Sequence, residues 1–311
     1  MSVLYNEDCL GEKGMRVIPS GSVDMILCDL PYGNMKGAAL DGWRAETTQW
    51  DDRLDILAMF VEYERVLRRN GTCVLFSQEP YTSTLRTYKA ANVEFAYPLI
   101  WKKDHFANAL IAKKAPVSYF EDLSVFYKKY DSQLLHPLRA YVNRLTDHMK
   151  VTGGKVVNEI LGHQRADHFF RTDSMQFTLC TEVTYNELIE KFHLDTMVGF
   201  LPFGALEEID RTFNRTFNRT FNLPAGQKFT GNVLEFKKDY QGLHPTQKPA
   251  ALFEHLVRTY TNEGDTVLDN CLGSGTTAIA CIRSGREYIG FEKDPSYYDI
   301  AINRIMEEQF L

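Results

Sequence analysis

The stretch that most constrains this chain is an apolar run, Val23 to Cys28, that stops abruptly at Asp29-Leu30-Pro31-Tyr32-Gly33. Five apolar positions interrupted only by Asp24 read as a buried strand, and an acid, a proline and an aromatic at its end read as a loop. In a parallel α/β sheet, ligands sit at the carboxyl ends of strands, where this change of chemistry falls. Asp29 offers a carboxylate, and Tyr32 offers a flat apolar face with a polar tip. Pro31 stiffens the link between them and restricts Leu30 to an extended geometry, which fixes the Leu30 carbonyl. Two hydrogen-bond acceptors beside a stacking platform suit a planar heterocycle that carries an exocyclic amine.

Strand and helix patterns alternate around this stretch. Val3 to Tyr5 reads as a short strand, residues 52–69 carry apolar side chains at helical spacing, and Thr72 to Phe76 reads as the next strand. Arg68-Arg69-Asn70-Gly71 predicts the end of that helix. Residues 33–50 read as a mobile loop, 81–91 as a helix, and Glu94 to Trp101 and Asp122 to Tyr127 as strands. After residue 244 the alternation returns: a helix over 250–260, a strand Thr266 to Asp269, a glycine turn Gly273-Ser274-Gly275-Thr276-Thr277, a strand Glu287 to Phe291, and a closing helix. The pattern predicts an α/β sheet.

The region between differs. From about 130 to 225 the sequence suggests short helices, one over 156–161 ending at Gly162 and one opened by a capping box at Thr184-Tyr185-Asn186-Glu187. It is also basic. Residues 128–171 hold eight Lys/Arg against four Asp/Glu, and residues 211–248 hold seven against two, in a protein of net charge −6. A nucleic-acid surface needs a basic face and not a basic protein. Residues 211–222 repeat Arg-Thr-Phe-Asn three times. On a helix, a period of four puts Arg211, Arg215 and Arg219 on one stripe and the three phenylalanines on another. One reading is a basic, aromatic strip along DNA; the reading preferred here is a duplication in a tolerant loop or helix.

The bulk properties exclude several classes. A chain of 311 residues with 44% hydrophobic content has a sizeable core and room for an inserted module. No apolar run reaches the roughly 18 residues that would span a membrane. The first residues lack a basic start and an apolar signal region, which predicts a cytoplasmic protein. Six scattered cysteines, none in a Cys-x-x-Cys pair, read as reduced thiols and not as a zinc site or disulfide frame. No metal site is expected.

The second half of the chemistry lies in the C-terminal unit. A strand, a glycine turn, a helix, a strand and an acid about twenty residues on form a nucleotide-type binding unit. Gly273 and Gly275 allow close backbone approach, and Glu292 is spaced to take ribose hydroxyls. The third glycine of a dinucleotide fingerprint is absent, as is the lysine of a P-loop. Asp269 would repel a pyrophosphate and welcome an ammonium or sulfonium.

With these motifs together, the chain resembles the S-adenosyl-methionine-dependent amino DNA methyltransferases of the permuted, beta-type motif order. The order here is Asp29-Leu30-Pro31-Tyr32, then the basic insert, then His244-Pro245-Thr246-Gln247-Lys248-Pro249, then Asp269 through Thr277. The similarity covers roughly residues 3–127 and 240–308. It implies a Rossmann-like methyltransferase fold: a mixed, mostly parallel seven-stranded sheet with helices on both faces. The expected organisation is a catalytic half over 1–129, a mainly helical target-recognition region over 130–240, and a cofactor-binding half over 241–311.

The resemblance also implies roles. Asp29 and the Leu30 carbonyl accept the amine's two hydrogens, Pro31 holds the turn, and Tyr32 stacks on a flipped base. S-adenosyl-methionine is the cofactor. Gly273 and Gly275 pass close under it, Thr276 follows them, Asp269 faces its amino-acid end, Glu292 takes its ribose, and Asp8 contacts its adenine. Thr246 and Lys248 belong to the segment that closes over the methionine carboxylate. Arg165, Arg171, Arg211 and Arg215 are candidate DNA contacts, and double-stranded DNA is the expected partner. A homodimer, a cognate restriction endonuclease, and a bacterial or phage origin fit the same resemblance.

Leu30 stands where the family has a first proline, and Cys271 where it usually has Phe. Aspartate at the first motif position favours adenine N6 over the cytosine amine. The rival substrates are the cytosine amine and RNA, and the rival from another class is an inactive DNA-binding relic. Methylation at cytosine carbon-5 would need a cysteine after a proline, and none follows one.

Overall fold

The computed structural model describes residues 2–33, 52–107, 112–129, 136–174, 177–217, 219–239 and 247–310, without the side chains of 214–217. The expected loop over 33–50 falls almost wholly outside the described residues, as do His244, Pro245 and Thr246. The chain divides into two compact units, Met1–Lys129 with Arg219–Leu311, and Tyr130–Asn218.

The first unit is built on an eight-stranded sheet. Its strands are β1 (Val3–Tyr5), β2 (Val23–Asp29), β3 (Leu67–Ser77), β4 (Val93–Ala107), β5 (Ser118–Lys128), β6 (Val233–Glu235), β7 (Thr266–Asp269) and β8 (Glu287–Phe291), in the order β1-β8-β7-β2-β3-β5-β4-β6. Pairing is parallel from β1 through β3 and again between β4 and β6, and antiparallel where β5 meets β3 and β4. The sheet is thus mixed and mostly parallel, with one strand more than the seven expected. The extra strand is β6, three residues in a polar stretch whose sequence carries no alternation.

The continuous apolar run of β2 is explained by burial on both faces, as in other parallel sheets. Met25 and Leu27 point into one core with Val74, Phe76, Phe253 and Ile279, while Ile26 and Cys28 point into the other with Met59, Phe60, Cys73 and Leu75. The helices α7 (Ala250–Tyr260), α8 (Thr276–Ser284) and α9 (Pro295–Gln309) supply the first core, and α1 (Ile56–Val66) the second. α1 opens on Asp55, whose carboxylate accepts from the Leu57 and Ala58 N–H groups. It stops at Val66, short of the predicted end, because Leu67 is already extended. The left-handed turn comes later, at Asn70 with φ 57°. The helix expected over 81–91 is α2 (Tyr81–Thr87).

The second unit packs its own core from α3 (Leu138–Met149), α4 (Gly154–Leu161), α5 (Glu182–Phe192) and α6 (Phe203–Phe217), with Tyr141, Leu145, Phe169, Tyr185 and Leu206 buried among them. Gly162 ends α4 in the left-handed conformation as expected. α5 starts earlier than the predicted capping box, since Thr181 is the cap and its hydroxyl accepts from the Thr184 N–H.

The unit is mainly helical, but it ends at Asn218, and residues 219–239 belong to the first unit. That division cuts the repeat. Its first copy lies on α6, where Phe213 is buried against His136 at 4.1 Å. Its third copy is not helical, so the single arginine stripe does not form. Instead the Arg219 guanidinium lies 4.3 Å over the Tyr127 ring, and Phe221 meets Tyr260 edge-on at 5.9 Å. Among the described residues no helix is long and apolar enough to cross a membrane.

Candidate active site

The sheet order reverses direction between β2 and β7, a switch point of the kind that opens a crevice at the carboxyl edge. Four acids line up there. Asp29 ends β2, Asp269 ends β7, Glu292 follows β8, and Asp8 follows β1. A single cavity brings together Asp8, Asp29, Leu30, Pro31, Tyr32, Lys248, Asp269, Gly273, Thr276 and Glu292, ten residues named from the sequence.

Asp29 is held from both sides. The Tyr32 hydroxyl donates to its Oδ1 at 2.6 Å, and the Lys248 ammonium donates to its Oδ2 at 2.5 Å. Arg53 fixes the backbone between them by donating from Nε to the Tyr32 carbonyl at 2.6 Å. Burial pushes the Asp29 carboxyl above the ordinary carboxylate range; Lys248 opposes that shift and Glu121 adds to it. Burial also raises the Tyr32 phenol, helped by the Asp29 and Glu121 carboxylates, so the hydroxyl stays a donor. Lys248 is buried yet held protonated, because the gain from Asp29 and Glu121 exceeds its desolvation.

Sequence reasoning passed over three residues at this end: Gln247 lines the cavity, and Glu121, with Lys103 beside it, touches the lining residues Lys248 and Tyr32. Glu121 accepts from Lys248 at 3.2 Å and from Lys103 at 2.5 Å, and the Tyr32 hydroxyl lies 3.4 Å from it. Gln247 is 5% exposed, and among the described residues neither its amide nitrogen nor its amide oxygen has a hydrogen-bond partner.

At the other end, Asp269 is buried, accepting from the Cys271 N–H at 3.0 Å and from the Thr277 hydroxyl. Burial lifts its carboxyl to about 7. Glu292 accepts from the Gly273 and Asp294 N–H groups, each at 2.8 Å, and burial raises it as well. Asp8 is exposed and its carboxylate accepts from the Leu10 N–H at 2.9 Å. Asn270 is clamped by the Tyr63 hydroxyl at 2.7 Å and reaches Cys9 and Cys271 with its own amide.

Gly275 is not among the cavity-lining residues. It caps α8 with φ 87°, and a Cβ there would meet the Ala301 Cβ of α9 at 3.1 Å, so its freedom serves helix packing. Thr246 lies outside the described residues. In the helical unit, Arg165 pairs with Glu187 at 3.2 Å, Arg171 with Asp167, and Arg211 with Glu208, while the Arg215 side chain is outside the description. His163 also pairs with Glu187, at 2.7 Å. No group of His, Cys, Asp or Glu among the described residues has metal-site geometry.

The cavity therefore presents a buried, cation-seeking carboxylate at one end and a braced carboxylate beside an aromatic face at the other. That donor set fits a cationic nucleoside cofactor next to a flat amine-bearing ring.

Comparison with known proteins agrees. The DNA adenine methyltransferase YhdJ of Escherichia coli is 24% identical over 97% of this chain and 82% of its own length. The Type II methyltransferase M.Cfr9I of Citrobacter freundii is 26% identical over 99% of this chain and 88% of its own. Similarity to the Type II methyltransferase M2.DpnII of Streptococcus pneumoniae is higher, 40%, but confined to 26% of this chain, and it spans only 30% of that protein. Among solved structures, the M1.HpyAVI–SAM complex superimposes with a TM-score of 0.54 at 19% identity, covering 98% of this chain and all of that one. The cytosine-N4-specific PvuII DNA methyltransferase gives 0.53 at 13% identity, covering 99% and 90%. These two carry the fold. A family model described as DNA methylase, for N6 and N4 methyltransferases, matches residues 23–303. The chain thus belongs to the DNA methylase family of N6 and N4 methyltransferases.

Proposed function

We propose that the protein transfers a methyl group from S-adenosyl-methionine to the N6 amine of an adenine flipped out of double-stranded DNA. The observation that carries this reading is the Asp29 carboxylate, braced by Tyr32 and Lys248, in one cavity with Asp269 and Glu292. The family's cofactor supplies an electrophilic methyl group when bound. Asp269 and Glu292 would hold it, with Gly273, Thr276 and Asp8 beside it. Asp269 would face its charged amino-acid end, since a buried carboxylate titrating near 7 gains most from a neighbouring cation.

An aromatic amine is a weak nucleophile because its lone pair is conjugated into the ring. Asp29 and the Leu30 carbonyl accept its two hydrogens, which favours a pyramidal nitrogen with a directed lone pair. Orientation and fixed electrostatics supply most of the acceleration. A base inside a duplex cannot reach the foot of this cavity, so it is extruded, and the Tyr32 face offsets part of the unstacking cost.

Adenine is favoured by aspartate at the first motif position and by the description of YhdJ as an adenine methyltransferase. The helical unit, Tyr130–Asn218, is our candidate for target recognition, with Arg165, Arg171, Arg211 and Arg215 as its DNA contacts. Exchange of their present carboxylate partners for phosphate would release Arg165, Arg171 and Arg211 to do so. The Type II description of two relatives supports pairing with a restriction endonuclease in a bacterial cytoplasm, and a homodimer is part of the same reading.

The test combines purified protein, labelled S-adenosyl-methionine and duplex DNA, followed by nucleoside digestion and mass spectrometry, with Asp29→Ala as control. N6-methyladenine that vanishes in the variant supports the reading. N4-methylcytosine would keep the mechanism and overturn the base. Transfer to RNA alone, or no transfer at all, would overturn the function.

A further inference from the structure

Against two residues of the cavity lining, Lys248 and Tyr32, stands a second carboxylate to which methyl transfer, as written above, gives no part. Glu121 is the fourth residue of β5, paired with Trp101 of β4, and its carboxylate is buried. Its two oxygens divide the neighbouring cations. Oε1 takes Lys103 at 2.5 Å, and Oε2 takes Lys248 at 3.2 Å with the Tyr32 hydroxyl 3.4 Å away. Lys248 and Tyr32 are the same two groups that brace Asp29. Two carboxylates therefore share one ammonium, and among the described residues Glu121 has a second cation, Lys103.

We infer that Glu121 is a positioning residue: by taking a share of Lys248 it leaves Asp29 as the carboxylate that receives the amine proton. The inference rests on the proposed methyl transfer. In that step the nitrogen–carbon bond forms as the carbon–sulfur bond breaks, and sulfur leaves with the electron pair. The nitrogen then carries a positive charge until one N–H bond breaks. That proton goes to Asp29.

Pairs of carboxylates whose surroundings drive them apart are how a site assigns one acid and one base. Burial raises both, but Lys248 and Lys103 together bring Glu121 below its ordinary value, while Asp29 stays above. Other charged or titratable groups among the described residues face the pair. Asp269 and Cys28 face Asp29, and Lys238 faces Glu121 and Lys248. A full Lys248 charge on Asp29 alone would make it a weaker proton acceptor.

The experiment is a pH titration of the Asp29 carboxyl carbon by 13C NMR in the full-length protein without ligands, with the resonance assigned by its loss in Asp29→Asn. Glu121→Gln is expected to lower the Asp29 midpoint by about one pH unit, since it returns Lys248 to Asp29. Glu121→Asp, which keeps the charge, is expected to restore most of the wild-type value. If Glu121→Gln fails to fold with Lys103 left alone, Glu121→Gln with Lys103→Met removes both charges and is expected to lower the midpoint equally. In methyl transfer, the acid limb of kcat is expected to move with the midpoint, plateau kcat to fall about tenfold, and KM for DNA to stay.

A midpoint that is unmoved or raised by Glu121→Gln overturns the inference. So does a variant that loses only thermal stability while its kcat limb stays in place, since that is the signature of a staple between β4 and β5. If the wild type transfers no methyl group, the proposed function falls, while the titration still decides the role of Glu121.

Discussion

Lys248 and Asp29 stand 219 positions apart in sequence and 2.5 Å apart in space, and their ion pair joins the two parts of the first unit in the lining of the cavity. Removing one partner of a buried pair leaves an uncompensated charge. Lys248→Met is expected to lower stability at neutral pH by about 3 kcal/mol in chemical denaturation. Its sign with pH follows from the carboxylate left behind. With the lysine gone, the folded-state pKa of Asp29 lies further above its unfolded value, so the variant should regain stability as pH falls through that folded pKa. Lysine is needed here for its charge, so Lys248→Arg should recover more stability than Lys248→Gln.

Asp269 makes a second pH prediction. Its folded value is about 7 against an ordinary 3.8, through burial. The unfolded chain releases this proton first, so this residue makes stability fall as pH rises from about 4 to 7 and level off above. The slope is on the order of 1 kcal/mol per pH unit. Asp269→Asn is expected to flatten that window in urea denaturation, to stabilise the ligand-free protein at pH 8, and to weaken S-adenosyl-methionine binding measured by calorimetry. A variant that binds the cofactor as wild type would remove Asp269 from the cofactor site.

Gly275→Ala should report on helix packing. The residue has φ 87°, and the new methyl group would press on Ala301 at 3.1 Å. The left-handed conformation alone costs roughly 1–2 kcal/mol for a residue with a Cβ. Adding Ala301→Gly is expected to restore the part due to contact and leave the conformational part. Thermal unfolding of the single and double variants separates the two.

The three repeat copies are expected to respond unequally to mutation. The Asn222 N–H donates to the Thr259 carbonyl at 2.7 Å, and its side-chain amide donates to the Arg258 and Thr261 carbonyls at 3.0 and 2.9 Å, closing the end of α7. Asn222→Ala is expected to cost about 1–3 kcal/mol, the price of leaving such carbonyls short of a partner. Arg211→Ala, at an exposed helix ion pair, is expected to change stability by under about 0.5 kcal/mol. Equal effects at both positions would mean that the copies share one role.

How much of this was legible in the sequence depended on strand direction. Asp29, Asp269 and Glu292 were readable because parallel strands end at the ligand edge, so an apolar run that breaks at an acid marks the site. Glu121 escaped that rule. β5 runs antiparallel to β3 and β4, so it delivers its first residues, not its last, to the same edge. A carboxylate at the start of a strand reads as an ordinary surface acid until the pairing is known. Lys103 escaped for a related reason: Trp101-Lys102-Lys103-Asp104 looks like the solvated end of a strand, yet β4 continues to Ala107 and Lys103 is buried. The arginine stripe failed because a four-residue period says nothing about where a helix stops, and α6 stops at Phe217.

The clasp between Arg219 and Tyr127 bears on how such a chain could have been assembled. The first unit is left just after β5 at Lys129 and re-entered at Arg219, whose guanidinium lies over the ring of a residue two positions before the exit. Departure and return are therefore fastened together within the first unit. A segment fastened in this way behaves as a cassette: it can be lengthened, shortened or traded between lineages while the strands on either side keep their register. With the helical unit as the proposed reader of the target, selection could then revise what is recognised without revising how the cavity reacts.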